Sequence, residues 1–410
     1  MTLFHDGQRA HEGQPMEVVM KRWQIAAMDT KIADKSAAVA VDTLAFTGRA
    51  IVYRLFDVGG EIHLDEALGH LAPSSSRARP TQGEAQALQI KEPPITCALG
   101  SEVVTILGER ASIELSARIF DFGVVSLRAR VETGRPMSWT EFTRFGRAVD
   151  AASEIPLLLE EQVRQLVERM RGAIERPRIA DVREDYVVYQ IDQRQGDDGA
   201  GLPRTLIQEL DLAPLLLGET RPLSEEARKE LLPHRFSYYA DDLAILSWDN
   251  ALIVERSSAD SDVEYILEFA NAQLLELRYF DAVLDAELPK LYDRIEQARV
   301  RRRRVIGAGY ARLLESMQVL IAETTELVER SENALKVTDD VYLARIYSTA
   351  LELYRARTWK AGIDRKLTIL RETYAMLNAE VQSRRAELLE IAIILLIVFE
   401  IVISLTRYAR

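Results

Sequence analysis

One predicted helix carries the set of polar side chains that most resembles a functional site. Asn271, Arg278 and Asp285 are spaced seven apart, and Asp281 lies one turn from Arg278, so all four share one helical face. An arginine on such a face can bind a phosphate or a carboxylate while the acids orient it. The same residues can form a structural ion-pair network instead, because Asp281 and Asp285 can neutralise Arg278 without a ligand. The local spacing favours the structural network, and the ligand site is the alternative.

A basic patch follows the same helix. It consists of Arg299, Arg301, Arg302, Arg303 and Arg304. Clustered arginine can contact anionic lipid headgroups or ribosomal RNA, and both contacts weaken as the salt concentration rises. A solvated helix face is the alternative.

Sequence motifs for metal binding, phosphate binding and nucleophilic catalysis are missing. There is no Walker loop, no H-E-x-x-H, no C-x-x-C and no G-x-S-x-G. His63 and His70 could share a helical face, but no third ligand accompanies them, so we expect ordinary surface histidines. The triplet at residues 121–123, Asp-Phe-Gly, lies between two predicted strands and is expected to be a hairpin turn. The sequence therefore predicts no metal, no cofactor and no enzymatic activity.

Composition sets broad limits on the class of protein. The chain has 410 residues, of which 48% are hydrophobic and 28% are charged, which is enough for a large core with a well-solvated surface. The formal net charge of -12 argues against an overall electrostatic attraction to nucleic acid. The single cysteine, Cys97, excludes an internal disulfide framework and suggests a reducing compartment.

The elements that position these residues divide the chain into four predicted regions. Residues 1–45 are expected to form a loose N-terminal arm, and residues 46–260 a duplicated α+β body. Residues 261–387 are expected to form a helical domain with a coiled-coil stalk, and residues 388–406 a transmembrane helix.

The predicted body consists of two β-α-β-β-α halves. Runs of β-branched and aromatic residues at 49–56 and 185–191 predict the first strand of each half. Ser138 and Ser261 each stand three residues before a glutamate, which is the spacing of a helix capping box. Because two such halves can pair into one body, we expect a mostly antiparallel sheet.

The predicted stalk is made of two long helices. Apolar residues recur at alternating spacings of four and three between Leu313 and Leu327, which indicates a coiled-coil seam. The break at residues 337–340 is short, so the helix that follows it should fold back as an antiparallel hairpin, roughly 75 Å long at 1.5 Å per residue.

The last segment is almost entirely apolar. Between Ile391 and Leu405, only Glu400 and Ser404 interrupt the Ile, Leu, Val, Phe and Ala residues, which predicts a single-pass membrane helix. Glu400 could mark self-association of this helix, or it could reach the lipid headgroups. The basic patch lies on the body's side of the segment, so the positive-inside tendency places the body in the cytoplasm or in the matrix of an organelle.

Four blocks of sequence resemble one known family. Residues 264–285, 119–125 and 238–254, together with the apolar end that contains Glu400, resemble the YagE family, whose eukaryotic members are called "required for meiotic nuclear division" proteins. The resemblance spans about residues 46–405. It implies a membrane-associated, non-enzymatic body, and the mitochondrial relatives imply support of translation at the inner membrane.

These expectations together describe a tail-anchored scaffold or adaptor. We expect it in the inner (cytoplasmic) membrane, or in the mitochondrial inner membrane if the source is eukaryotic. The predicted partners are membrane lipids, a ribosome or another protein complex, and further copies of the chain joined through the coiled coil or the transmembrane helix. The alternative function is an enzyme or binding module for a phosphorylated or carboxylated ligand that uses the Arg278 face.

Overall fold

The computed structural model describes residues 45–71, 75–77, 93–193, 210–219, 221–231, 234–256, 261–300, 308–333 and 340–408. The predicted N-terminal arm lies outside these ranges except for its last residue. Within them the chain is an α+β protein, as predicted, in which one large sheet has helices on both faces.

The nine strands of the described ranges belong to a single sheet with the order β2-β3-β4-β5-β1-β6-β9-β8-β7. The sheet is mostly antiparallel, as the sequence predicted, but β6 and β9 pair in parallel. The strands are β1 Thr47–Asp57, β2 Ser76–Arg77, β3 Ile95–Ile106, β4 Glu109–Ile119, β5 Val124–Glu132, β6 Arg183–Gln193, β7 Arg235–Phe236, β8 Leu243–Leu246 and β9 Asn250–Arg256.

The helices fall into a group beside the sheet and a group that extends beyond it. They are α1 Leu64–His70, α2 Trp139–Asp150, α3 Glu154–Met170, α4 Ala213–Leu216, α5 Glu225–Leu231, α6 Asp262–Val300, α7 Ala308–Asn333, α8 Val341–Leu353 and α9 Ala356–Tyr408.

The two sequence halves differ in how their strands pair. In the first half, the last strand β5 lies antiparallel to the first strand β1. In the second half, the corresponding strand β9 lies parallel to β6. The described elements run β-α-β-β-β-β-α-α in the first half and β-α-α-β-β-β-α in the second. The predicted β-α-β-β-α order is therefore wrong in detail for both halves, and their strand pairing differs as well.

Central strand β1 is buried on both faces, and its residues alternate between two cores. Val52 and Phe56 pack in the core beneath α2 and α3. Ile51 and Leu55 pack in the core beneath α6 and α8. Because successive side chains of a strand point to opposite faces, one apolar strand can serve both layers of helices.

Three helices, rather than the two of the predicted hairpin, form the helical arm that extends from the body. Leu284 of α6, Leu313 of α7 and Leu367 of α9 share its core. Helix α6 continues through Pro289 because Leu284 and Leu291 are buried on either side of the proline. The chain between α8 and α9 turns at Arg355, which has a φ of +53°, so α8 packs on the sheet while α9 belongs to the arm.

The predicted transmembrane helix at residues 388–406 is wrong. In the part of the chain that the structure describes, no helix is both long enough and apolar enough to cross a membrane. The uninterrupted apolar run of α9 has nine residues between Glu390 and Glu400. It spans about 14 Å at 1.5 Å per residue, against about 30 Å of hydrocarbon core. The single-pass location in an inner membrane, the tail anchor and the orientation argument are wrong with it.

Candidate functional site

Helix α6 presents the four predicted polar residues, but their partners come from other elements. Arg278 donates to a carboxylate oxygen of Glu184 on β6. The Arg278 guanidinium also lies 5.8 Å from the centre of the Trp359 ring on α9. Arg278 therefore joins α6 to the sheet and to the arm at the same time.

The two aspartates of this face have a cation of their own. Lys366 of α9 places its Nζ 2.7 Å from Asp281 Oδ1 and 2.7 Å from Asp285 Oδ1. Asn271 Nδ2 donates to the Leu267 carbonyl at 2.9 Å and to the Tyr354 hydroxyl at 3.0 Å. The four residues thus belong to three separate contacts of α6, one with the sheet through Glu184, one with α9 through Lys366 and one with Tyr354.

Glu184 is the most perturbed acid near Arg278. Burial raises its pKa from 4.5 to about 7, and the attraction of Arg278 only partly offsets that increase. The Arg278 side chain is still 38% exposed, but Glu184 already accepts its guanidinium hydrogen bond. This arrangement can fix α6 on the sheet, and it offers a ligand only a guanidinium that is already paired.

A second charged network, which the sequence analysis did not identify, lies under the first turns of α6. Arg118 of β4 pairs with Glu268, whose side chain is fully buried. Glu264 accepts a hydrogen bond from the Tyr53 hydroxyl and lies 3.4 Å from Arg128 Nη1. Burial, together with the nearby Glu264 charge, raises the pKa of Tyr53 well above 10.

The sequence contained a usable signal for this network. Glu264 and Glu268 are four apart on the otherwise apolar face of α6, and Arg118 and Arg128 stand at inward positions of strands. Charged residues at such positions are rarely buried unless they are paired. The Arg118–Glu268 and Arg128–Glu264 pairs are buried, and they join α6 to β4 and β5. Their geometry holds α6 at one register on the sheet.

The edge of the sheet near β7 carries a cluster of aromatic and arginine side chains, all of them exposed except the half-buried Tyr342. We call it the aromatic-arginine strip, and it follows β7, β8 and the adjacent helix α8. Its residues are Tyr238, Tyr239, Trp248, Tyr342, Arg345 and Arg355.

The tyrosines of the strip stand on a loop whose backbone is fixed by hydrogen bonds. The Ser237 hydroxyl donates to the Tyr239 carbonyl at 2.7 Å, and the Tyr238 amide donates to Asp242 at 2.7 Å. The Tyr238 ring is 4.8 Å from the Tyr239 ring and 5.5 Å from the Tyr342 ring, between ring centres. Tyr238 and Tyr239 are nevertheless 63% and 66% exposed.

The arginines of the strip are held over aromatic rings. Arg345 lies 5.7 Å from the centre of the Phe236 ring, and Arg355 lies 5.6 Å from the centre of the Trp248 ring. Trp248 is itself 51% exposed. Among the residues that the structure describes, neither guanidinium forms an ion pair. The strip can therefore stack on flat groups and donate hydrogen bonds to an anion.

The sequence contains only a weak signal for the strip. The doublet of Tyr238 and Tyr239 stands in a polar turn, and Trp248 precedes the Asp-Asn turn of a hairpin, which are unusual places for large aromatic residues. Arg345 and Arg355 lie about a hundred residues away in the sequence, so only the folded chain brings the strip together.

The other predicted site residues remain separate from both networks. Arg299 lies in the last turn of α6, and Arg301, Arg302, Arg303 and Arg304 lie outside the described residues. Glu400 is exposed on α9. His63 and His70 are exposed at the two ends of α1. Within the described ranges, no group of three or more His, Cys, Asp or Glu residues is arranged to hold a metal ion.

Comparison with known proteins identifies one family. A family model described as "Uncharacterized protein MJ0711, N-terminal domain" matches residues 47–261, just over half of the chain. "Uncharacterized protein MJ0711" of Methanocaldococcus jannaschii is 26% identical over 199 residues, which are 48% of this chain and 59% of that protein. The chain therefore spans less than two thirds of the length of this relative.

The YagE resemblance is wrong. The family match ends at residue 261, three residues before the block at 264–285 on which the resemblance mainly depended. That block is the buried start of α6, where apolar spacing is what any helix packed on a sheet requires. The translation-related role loses its basis with the resemblance. From its first strand to the start of α6, the sequence matches one domain, and the chain belongs to the family of the MJ0711 N-terminal domain.

Proposed function

We propose that this protein is a scaffold or adaptor that binds an extended, acidic segment of a partner protein on the aromatic-arginine strip. The observation that carries the proposal is the exposure of two tyrosines and a tryptophan beside two arginines that form no ion pair among the described residues.

The residue types of the strip are those that dominate binding energy at protein interfaces. Tyrosine, tryptophan and arginine are enriched among the side chains whose truncation costs the most affinity. The loop of Tyr238 and Tyr239 is already fixed by hydrogen bonds from Ser237 and to Asp242. Little conformational freedom is therefore lost when a partner binds, which favours affinity.

The charge of the strip favours an acidic partner. Arg345 and Arg355 rest against aromatic rings that hold their guanidinium groups in place. A guanidinium stacked in this way still presents its N–H groups to a carboxylate, often in two parallel hydrogen bonds. Acidic side chains on the partner would supply carboxylates for Arg345 and Arg355, which form no ion pair among the described residues.

The position of the strip favours an extended segment. Strand β7 ends the sheet and has only two residues, which pair with Ile245 and Ala244 of β8. Sheet edges bind partner segments in extended conformation, with alternate side chains in contact with the neighbouring surface. Helix α8 follows the same edge with Tyr342 and Arg345, so it can contact the side chains of such a segment.

The geometry around Arg278 gives less support to the alternative function, which is the binding of a phosphorylated or carboxylated ligand. Glu184 already accepts a hydrogen bond from the Arg278 guanidinium, and Lys366 already pairs with Asp281 and Asp285. A phosphorylated or carboxylated ligand would have to displace Glu184 from Arg278. The scaffold therefore remains the function that the geometry supports best.

Selection from a display library of random linear peptides tests the proposal. We expect the full chain to enrich acidic peptides, and the combined change Arg345→Ala and Arg355→Ala to abolish that enrichment. Tyr292→Ala and Arg169→Ala are matched controls, because both side chains are exposed away from the strip. Absence of enriched peptides, or the same enrichment by the strip variant, would contradict the proposal.

A further inference from the structure

Part of the charged network beneath α6 carries hydrogen-bonding atoms that form no bond with any described residue. The side chains belong to Arg118, Ser126 and Glu268, which are 4%, 0% and 2% exposed. Among the described residues, Arg118 Nε, Ser126 Oγ and Glu268 Oε1 have no hydrogen-bond partner. Buried polar atoms of folded proteins are almost always hydrogen-bonded, because a buried atom without a partner is costly. These three atoms therefore require a further partner.

The three residues lie on one face of the sheet, directly below α6. Arg118 on β4 and Ser126 on β5 stand opposite each other in the antiparallel pair. Ser126 is also opposite Leu55 of β1, which packs in the core beneath α6. Glu268 of α6 reaches the same face and accepts a hydrogen bond from Arg118 Nη1 through its other carboxylate oxygen. The unpartnered atoms thus come from three elements that meet at one place.

The Arg118 guanidinium is held in place by its other contacts. It lies 4.5 Å from the centre of the Tyr265 ring on α6, and it pairs with Glu268. A guanidinium that stacks on a ring and donates through one nitrogen has a fixed plane, so its Nε–H group keeps one direction. The donor of this place is therefore already oriented before a ligand binds.

The charges around this place favour a small neutral ligand. Arg118 and Arg128 supply two positive charges, and Glu264 and Glu268 supply two negative charges. A cation or an anion added to this balanced set would leave a net charge in a buried region, which is costly. The three unpartnered atoms are one donor, one acceptor and one hydroxyl that can do either. Water fits them, because it is neutral and it donates and accepts hydrogen bonds at once.

We infer that Arg118, Ser126 and Glu268 form a binding site for an ordered water molecule between β4, β5 and α6. The water accepts a hydrogen bond from Arg118 Nε, donates one to Glu268 Oε1 and forms a third with the Ser126 hydroxyl. About three hydrogen bonds are usual for a water inside a protein. The site shares no residue with the aromatic-arginine strip, so this inference is independent of the proposed function.

The spacing of the two strands suits a bridging water. Directly opposite residues of an antiparallel pair have Cβ atoms about 4.5–5.5 Å apart. Two hydrogen bonds to one water span up to ~5.6 Å, which is close to that separation. A water at this place therefore links β4 to β5 and both strands to α6, and it gives the buried network its missing hydrogen bonds.

Diffraction from crystals of the full chain, at a resolution that shows ordered waters, tests the inference directly. We expect an isolated peak of electron density at hydrogen-bond distance, about 2.5–3.2 Å, from Arg118 Nε, Glu268 Oε1 and Ser126 Oγ. Direct hydrogen bonds from these atoms to another protein group, with no such peak between them, would overturn the inference.

Bromide and rubidium distinguish a water from a bound ion. Some crystals are soaked in bromide in place of chloride, and others in rubidium in place of sodium. Both ions give an anomalous scattering signal that water lacks, and we expect no anomalous peak at the site. A bromide peak would identify an anion and a rubidium peak a cation, and either result would overturn the inference.

The stability of Ser126→Ala tests the site in solution. If the hydroxyl bonds with a buried water, its removal takes away a hydrogen bond, so we expect the urea midpoint of unfolding to fall. If the hydroxyl is buried without a partner, its removal eliminates a penalty and the midpoint rises. Ser112→Ala is the matched control, because Ser112 is exposed on β4, and we expect its midpoint to equal that of wild type. A Ser126→Ala midpoint equal to or above that of wild type would overturn the inference.

Discussion

At the scale of single residues, the buried pair of Arg118 on β4 and Glu268 on α6 helps to hold α6 on the sheet. Arg118 and Glu268 are both buried, and each neutralises the other. Two charges removed from water contribute little net stability as a pair, but a single one left behind is costly. This asymmetry gives the network a measurable signature.

We predict that Glu268→Ala destabilises the protein strongly, because it leaves the Arg118 guanidinium buried without its carboxylate. The free energy of unfolding, measured by urea denaturation, should fall by about 3 to 5 kcal/mol. The combined change Arg118→Met and Glu268→Leu should cost much less, because it removes both charges and keeps apolar volume. Glu161→Ala, which removes an exposed carboxylate of α3, is the control and should cost less than about 1 kcal/mol. Equal losses for Glu268→Ala and Glu161→Ala would contradict the structural role.

Glu255 gives the protein a stability that depends on pH. It accepts a hydrogen bond from Gln190 at 2.7 Å, and burial raises its pKa from 4.5 to about 7. The Glu255 carboxyl therefore binds its proton more tightly in the folded protein than in the unfolded chain. Its contribution to the free energy of unfolding is complete below pH 4.5 and is lost as the pH rises through 7.

The resulting prediction compares wild type with Glu255→Gln by urea denaturation at pH 4.5 and pH 7.5. Between pH 4.5 and pH 7.5, deprotonation of Glu255 should lower the wild-type free energy of unfolding by ~3 kcal/mol. Glu255→Gln cannot titrate, so its loss over the same interval should be smaller by that amount. Identical pH dependence in both proteins would show that Glu255 does not titrate in this range.

At the scale of elements, local signals were predictable from the sequence and long-range pairings were not. The capping box at Ser138 and the hairpin turn at residues 121–123 are both present, because each depends only on residues a few positions apart. The parallel pairing of β6 with β9 depends on a crossover of more than fifty residues, which no local pattern records. The passage of α6 through Pro289 also depends on distant packing, since the arm buries Leu284 and Leu291.

The cap of α2 provides a prediction at this scale. The Ser138 hydroxyl accepts from the Glu141 amide, and the Glu141 carboxylate accepts from the Ser138 amide at 2.9 Å. Ser138→Ala should lower the free energy of unfolding by about 1 kcal/mol, because the cap is lost. Ser138→Asp should retain most of the stabilisation by the cap, because an aspartate can also accept the hydrogen bond. Thermal unfolding followed by circular dichroism checks both variants. A loss as large for Ser138→Asp as for Ser138→Ala would argue against the capping role.

At the scale of the whole molecule, the body and the arm expose different surfaces. The sheet and α8 present the aromatic-arginine strip, while residues 389–403 of α9 expose large apolar side chains. Composition and periodicity predicted an α+β body followed by long helices, because those features follow from apolar spacing. The strip could not be predicted in the same way, because its two arginines and its loop tyrosines come from separate parts of the chain. The apolar run at the end of α9 was visible in the sequence, but the sequence interpretation of it as a membrane helix was wrong.

We propose that the aromatic-arginine strip binds an acidic, extended partner segment. Titration calorimetry of the full chain with an acidic peptide enriched in the display selection tests it most directly. Truncation of a dominant interface residue costs about 2 kcal/mol or more, which is about 30-fold in affinity. We predict at least this loss for Trp248→Ala and for Arg355→Ala, and unchanged affinity for the exposed control Tyr292→Ala. Equal affinity of the peptide for wild type, Trp248→Ala and Arg355→Ala would show that the aromatic-arginine strip does not bind it.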